Sequence, residues 1–241
     1  MKAIILAAGM GTRLNPLTND TPKCLIEVNG ESILKAGLRC LEENGIDETA
    51  IVVGYAKEKV MDEIGHEFAR MNISYIENKI FEKTNNMYSL WLAKKYLERG
   101  CILIEGDVIF EKKILTMLME TDREKSYWVV DKFAEEMNGC MITADQEGEI
   151  DSIQIIRNRL TKIEQNFFKS VGMLKITWDF GLRLSKWLSN YVYNNDVNLY
   201  YDLVISKHID EWPINILNVQ GCKWYEIDDI NDLRKAEELF S

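Results

Sequence analysis

After Lys2 the chain runs through six consecutive apolar residues, Ala3 to Ala8, before Gly9 stops the run. A strand with one wet face alternates apolar and polar side chains. This one does not, which predicts a central parallel strand covered on both faces. Such a strand commits the rest of the chain to supplying helices for two sides of a sheet, and the spacing agrees. Ser32 to Asn44 places Ile33, Leu34, Leu38 and Leu41 on one helical face, and Gly45 follows where a C-cap glycine belongs. Thr49 to Val53 reads as a second buried strand. A helix over Lys57 to Met71, a strand at Ile73 to Glu77, a helix over Met87 to Leu97 and a strand at Cys101 to Glu105 come next. This alternation predicts a largely parallel, doubly wound α/β sheet.

From Lys125 the texture changes. Ser126 to Asp131, Gly139 to Ala144 and Asp151 to Ile156 read as shorter strands joined by turns such as Glu147-Gly148, a mixed, partly antiparallel extension of the same sheet. Lys169 to Ile176 is one more strand. Asp179 to Tyr193, Tyr200 to His208 and Asn231 to Phe240 have helical spacing. No linker or repeat divides the 241 residues, so a single domain over residues 1–241 is expected.

A formal charge of -10 argues against a sequence-independent grip on nucleic acid, which needs Lys and Arg to displace counterions. An anionic ligand must then be held by a local cationic site. The five cysteines are scattered and never form a CxxC pair, so neither a disulfide framework nor a zinc site is suggested. The apolar start is too short for a membrane span and runs into Gly11, Thr12 and Arg13, unlike a signal-peptide cleavage region. The expectation is a cytoplasmic protein with no membrane partner. The sequence does not set the oligomeric state; a homodimer is compatible with it.

The most informative stretch is Leu6-Ala-Ala-Gly-Met-Gly-Thr-Arg-Leu14, with Pro22-Lys23 after it. Gly9 and Gly11 allow positive φ and close backbone approach, so that N–H groups can face phosphate oxygens. Arg13 offers a planar fork and Lys23 a point charge. A strand followed by a glycine turn is also a routine βα connection. The spacing, however, is neither the GxGxxG of a dinucleotide fold nor a P-loop ending in GK[ST], which argues against hydride transfer and ATPase chemistry.

The string resembles the signature of the nucleotidyltransferases, an apolar strand followed by GxGxRLxPLTxxxPKxL. Gly9, Gly11, Arg13, Leu14, Pro16, Leu17, Thr18, Pro22, Lys23 and Leu25 all match it. The resemblance implies a Rossmann-like three-layer α/β sandwich with a mostly parallel mixed central sheet. It also implies CTP or another NTP over the loop formed by Leu6, Ala8, Gly9, Gly11 and Thr12, with Arg13 and Lys23 catalytic on the reacting phosphates. Residues 1–110 would then be the nucleotide-binding half, and residues 125–225 the acceptor-binding half of the same sheet.

Nucleotidyl transfer commonly uses Mg²⁺ on one or two carboxylates. Asp107 follows the apolar strand Cys101 to Ile104 at its carboxyl end, where open α/β sheets put ligands. In Trp224-Tyr-Glu-Ile-Asp-Asp-Ile-Asn-Asp232, Asp228 is the second candidate; capping of the last helix is the alternative there, and Asp229 is the expected cap. The resemblance implies a metal-binding Asp at both places.

Thr84-Asn-Asn-Met-Tyr-Ser89 lies where a base would sit. Asn85, Asn86 and Ser89 can read a pyrimidine edge or simply cap a helix. The stretch resembles the N-N-x-x-S segment of bacterial phosphocholine and phosphonate cytidylyltransferases, which implies CTP as co-substrate. On the acceptor side, Lys169 either binds the acceptor phosphate or is a solvated strand-edge lysine. Tyr200, Tyr201 and Asp202 resemble the aromatic and acidic pocket for a quaternary ammonium, and packing is the alternative for the tyrosines. The expected partners are thus CTP and a small phosphate or phosphonate acceptor. A sugar-1-phosphate nucleotidyltransferase using dTTP, UTP or GTP shares the loop and both acids and is the runner-up. A non-catalytic nucleotide-binding regulator, which would be expected to have lost one of Arg13, Lys23, Asp107 and Asp228, comes third.

Overall fold

The computed structural model describes residues 1–158, 160 and 163–241. The first part of the chain gives β1 (Lys2–Ala7), the small hairpin β2 (Glu27–Val28) and β3 (Glu31–Ser32), α1 (Ile33–Glu43) and β4 (Glu48–Val53). Next come α2 (Lys57–Ile64), β5 (Glu67–Phe68), β6 (Met71–Glu77), α3 (Asn86–Leu92), α4 (Lys94–Leu97), β7 (Cys101–Glu105), β8 (Val108–Phe110) and α5 (Lys112–Glu120). The remainder gives β9 (Tyr127–Lys132), β10 (Gly139–Ala144), β11 (Ile150–Ile156) and β12 (Phe167–Ile176), followed by α6 (Trp178–Tyr193), α7 (Tyr201–Ser206), β13 (Asn215–Asn218), β14 (Trp224–Glu226) and α8 (Ile230–Leu239).

β1 pairs in parallel with β4 on one side and β7 on the other, so it has no free edge. Its side chains then have only two places to go. Ala3, Ile5 and Ala7 enter a core with Leu34 and Leu38 of α1, Val60 of α2 and Leu115 of α5. Ile4 and Leu6 enter the opposite core with Leu90 of α3, Phe180 and Leu184 of α6, and Val204 of α7. The two-residue period of an apolar strand thus writes a helix–sheet–helix sandwich. Among the described residues the sheet has ten strands, with β11-β10-β12-β7-β1-β4-β6-β5 along its main path, and β12 joins the parallel centre antiparallel to β7. The mixed second half is therefore an extension of the same sheet, as its texture predicts.

Some boundaries differ from those expected. The helix begun at Lys57 ends at Ile64, not Met71, because Gly65 adopts φ 72 and Ala69 φ 52, and Phe68 and Met71 close a hairpin in between. The helix expected over Met87 to Leu97 breaks at Ala93 into α3 and α4. β8 and α5 lie outside the expected elements; Glu111 at the start of α5 makes no side-chain cap. α8 is capped as expected: Asp229 accepts from the Asn231 and Asp232 amides, and Asp232 reaches back to the Asp229 amide.

Candidate active site

The carboxyl ends of the central strands open into a cleft of about 800 Å³. One wall is the glycine loop, with Leu6, Ala8, Gly9, Gly11, Thr12 and Arg13 on it. The loop is held from behind. Leu14 is fully buried in a third cluster with Ile26, Ile33, Ile109, Ile227 and Leu233, which ties the loop to the C-terminal segment. Burying a leucine of this kind contributes about 1.5–3 kcal/mol. Thr18 Oγ1 donates to the Gly11 carbonyl at 2.8 Å, and the Tyr55 hydroxyl donates to the Thr18 and Asn19 carbonyls. Gly11 has φ 62, and a Cβ there would lie 2.8 Å from Lys23 Cβ. Gly9 departs from expectation: it is not among the residues with positive φ, and a Cβ on it would meet nothing within 4 Å. Its side faces open cleft, so any demand for a glycine there comes from what enters the cleft.

Asp107 arrives from the neighbouring strand. Between it and β7 stands Gly106, whose amide donates to the Leu6 carbonyl at 2.9 Å and whose missing Cβ would lie 2.6 Å from that oxygen. β14 pairs antiparallel with β8, Glu226 opposite Val108, and the Ile227 amide donates to the Asp107 carbonyl. This pairing brings Asp228 beside Asp107 from 121 positions further along the chain (228 − 107). Lys23 Nζ sits between them, 2.6 Å from Asp107 Oδ2 and 2.8 Å from Asp228 Oδ1, and Arg13 Nη2 lies 2.6 Å from the same Asp228 oxygen. Burial opposes the Lys23 charge, but Asp107 and Asp228 outweigh it and hold the ammonium above the ordinary lysine pKa. Burial likewise opposes the Asp228 carboxylate, and Lys23 and Arg13 overcome it to hold that pKa below the usual value.

The residues fit a divalent cation. Asp107, Glu226 and Asp228 each offer an oxygen, all within 4.8 Å of one another. Asp107 Oδ1 is buried with no hydrogen-bond partner among the described residues. An all-oxygen, carboxylate-rich donor set suits a hard ion such as Mg²⁺. Glu226 is not among the residues the sequence reading selected. Its signal was available: in Glu-Ile-Asp, positions 226 and 228 share a face of an extended segment.

Further in, the charge balance reverses. Lys169 lies within β12, not at its edge, is 7% exposed, and pairs with Glu226 at 2.7 Å, which removes the solvated-lysine alternative. Glu105 and Asp202 line the same part of the cleft. Burial lifts Glu105 well above the carboxylate range, and Asp107, Asp202 and Glu226 push it further. Burial lifts Asp202 to about 7, against the pull of Lys169. Glu226 is raised by burial in the same way, and Lys169 is raised because Glu226 outweighs its own burial. Tyr200 lines the cleft and is exposed, whereas Tyr201 does not: it is fully buried and stacks on Trp128 with centroids 6.0 Å apart. Of the two tyrosine alternatives, packing holds for Tyr201.

Asn85, Asn86 and Ser89 all line the cleft at the start of α3. Asn85 Oδ1 accepts from the Asn86 amide at 2.9 Å, and buried Ser89 accepts from Asn78 Nδ2 at 3.1 Å. Asn86 donates to Glu105 Oε1 at 3.2 Å and accepts from the Tyr201 amide at 3.0 Å. His66 packs edge-on against Tyr75 and His208 stacks on Trp187, so neither histidine is part of the cleft wall.

Comparison with known proteins agrees with this geometry. The profile of the family described as nucleotidyl transferase matches residues 2–154. The choline-phosphate cytidylyltransferase of Streptococcus pneumoniae is 29% identical, covering 99% of this chain and 98% of that protein. The CMP-5'-(3-aminopropyl)phosphonate synthase of Streptomyces rubellomurinus is 31% identical over the whole chain, which spans 39% of that relative's length. Among solved structures, CTP:phosphocholine cytidylyltransferase from Streptococcus pneumoniae superposes with a TM-score of 0.85 at 26% identity, covering 100% of this chain and 99% of that one. With a profile match over more than half its length and the loop, carboxylates and sheet in place, the chain belongs to the nucleotidyl transferase family and is a nucleotidyltransferase.

Proposed function

We propose that this enzyme moves CMP from CTP to a small phosphate- or phosphonate-bearing acceptor that carries an amine, such as phosphocholine, phosphoethanolamine or aminoethylphosphonate, and releases pyrophosphate. The observation that carries the reading is the division of charge in the cleft. Lys23 and Arg13 stand at the glycine loop, where a triphosphate would lie, and Glu105, Asp202 and Glu226 against Lys169 alone stand deeper, where a cationic acceptor group would be welcome. A sugar phosphate offers no positive charge to that inner pocket.

In this mechanism the loop amides and Arg13 hold the triphosphate, and Lys23 turns from its carboxylates toward the phosphate that reacts. The acceptor oxygen is already ionised near neutral pH, so no protein base is needed. It attacks the α-phosphorus in line; the new P–O bond forms as the bond to pyrophosphate breaks. Lys169 orients the acceptor's anionic end, and Asp202 with the face of Tyr200 receives its amine. When bound to Asp107, Glu226 and Asp228, Mg²⁺ supplies charge neutralisation on the departing pyrophosphate. Catalysis is then positioning plus fixed electrostatics. The likeness of the Asn85 to Ser89 segment to that of the cytidylyltransferases supports CTP, with Asn85 and Ser89 on the cleft wall toward the base.

Pyrophosphate release with Mg²⁺, across four NTPs crossed with phosphocholine, phosphoethanolamine, aminoethylphosphonate and glucose-1-phosphate, tests the proposal. Release confined to CTP with an amine-bearing acceptor is expected. Release with glucose-1-phosphate and another NTP overturns it in favour of the sugar-phosphate reading.

A further inference from the structure

We infer that Asn86 is a positioning residue that sets the acceptor wall of the cleft against the nucleotide wall, not a reader of the base. Both ends of its carboxamide are committed to the protein. Oδ1 accepts from the Tyr201 amide at 3.0 Å, 115 residues away, and Nδ2 donates to Glu105 Oε1 at 3.2 Å.

The first of these bonds caps a helix from a distance. α7 is only six residues long, and Tyr200 at its N-cap makes no side-chain cap, so the helix start is not capped by the residue that precedes it. Asn86 takes the place of the missing cap for Tyr201. The exchange is reciprocal, because the start of α3 gives its own amides to the segment before α7: Asn85 N to the Val197 carbonyl at 3.2 Å and Met87 N to the Leu199 carbonyl at 3.3 Å. Three hydrogen bonds therefore stitch 85–87 to 197–201. That second segment, with the residue after it, presents Tyr200 and Asp202 to the cleft. The other end of Asn86 runs to Glu105, the last residue of β7 and two positions before Asp107. A shift in α3 on nucleotide binding is thereby passed to the wall that faces the acceptor.

Calling residues 197–206 the acceptor wall rests on the proposed function; the stitch itself does not. Amide exchange on the whole protein, with and without CTP and Mg²⁺, is the test. In wild type, CTP slows exchange in 197–206. In Asn86→Ala these amides exchange about 10-fold faster, the scale of one lost hydrogen bond to a buried partner, and the slowing by CTP disappears. CTP affinity by calorimetry stays within about 3-fold, because no base contact has been lost. Unchanged exchange in 197–206, or an affinity loss of about 10-fold without it, overturns the assignment and makes Asn86 a base reader.

Asn86→Asp keeps the oxygen that faces Tyr201 but removes the amide that donates to Glu105 Oε1, and at alkaline pH, with Glu105 charged, it behaves like the alanine variant. Asn86→Asp combined with Glu105→Gln reverses donor and acceptor and returns exchange to within about 3-fold of Glu105→Gln alone, the mark of a direct pair. No recovery in the double variant overturns the link to Glu105. With phosphocholine as acceptor, Asn86→Ala raises KM for phosphocholine about 10-fold and leaves KM for CTP in place. Absence of turnover by the wild type with every acceptor in the panel refutes the proposed function, and the exchange result decides the stitch on its own.

Discussion

Two groups of carboxylates share the cleft, and each of two strand ends contributes one member to both. Glu105 and Asp107 leave β7 two residues apart, and Glu226 and Asp228 leave β14 two residues apart. In the outer group, Asp107 and Asp228 face two cations, Lys23 and Arg13, and the Asp228 pKa is held down. In the inner group Glu105 and Asp202, with Glu226 shared between the two groups, stand near Lys169, and all three are raised. The same side-chain chemistry a few ångströms apart is thus shifted in opposite directions: burial raises the three inner carboxyls, whereas Lys23 and Arg13 overcome burial at Asp228. On the proposed function the outer site receives anions together with a metal. The inner one is short of a positive charge that a ligand can bring.

Removing a cation from each group breaks this contrast in different ways. In the proposed reaction Lys23→Ala removes the cation at the reacting phosphate and Asp107→Asn a carboxylate of the metal site; kcat/KM is expected to fall about 100- to 1,000-fold in each with the thermal melt preserved. Near-normal turnover in either purified variant refutes the outer-site assignment. Lys169→Met leaves a buried carboxylate without its ion pair, and urea unfolding at about pH 8 is expected to show a loss of about 3–5 kcal/mol. The loss is smaller at lower pH, because Glu226, raised by burial, can then shed its charge by taking up a proton.

A subtler test changes only the protons. The folded pKa of Asp202, about 7, lies above the 3.8 of a free aspartate, so the folded protein keeps a proton that the unfolded chain releases between those values. Stability contributed there is present at low pH and is lost as pH rises through that window. Asp228, lowered instead, contributes with the opposite sign and loses stability as pH falls. Melting temperatures at about pH 5 and about pH 8 should therefore differ less for Asp202→Asn than for wild type. A steeper slope in the variant contradicts the raised state of the inner group. The smallest effect is expected outside both groups. Asp229→Ala removes only the α8 cap, costs about 1 kcal/mol, and leaves acceptor KM unchanged.

The outer group was largely legible because its cations belong to one contiguous string. Lys23, Arg13 and the glycines sit within fifteen residues of each other (9 to 23), so local spacing alone separates them from a dinucleotide or P-loop motif. Leu14, read as a signature residue, turns out to be the buried anchor of the loop. The inner group was read only in part. Lys169 and Asp202 were singled out, but their relation to Glu105 and Glu226 depends on β12, α7 and β14 meeting at one place. Tyr201 has the sequence neighbourhood of a pocket residue; its burial follows from α7 facing Trp128, which no local pattern records. The early end of α2 was missed for a similar reason: Lys57 to Met71 has usable helical spacing, and the hairpin at 67–71 overrides it through pairing with β6.

What the sequence by itself determined is the unalternating strand at the start, the alternation that makes an α/β sandwich, and a glycine loop carrying two cations. These depend on interactions between residues close in the chain, and periodicity reports them directly. What only the tertiary structure decided is which carboxylates stand together and in what charge state. That outcome depends on the β8–β14 pairing, on Gly106 letting the chain pass against the Leu6 carbonyl, and on the burial of groups drawn from positions 105 to 228. The physical reason is that desolvation and Coulomb energy depend on distance in space, and two carboxylates two residues apart in sequence look alike until the fold surrounds one with cations and the other with acids.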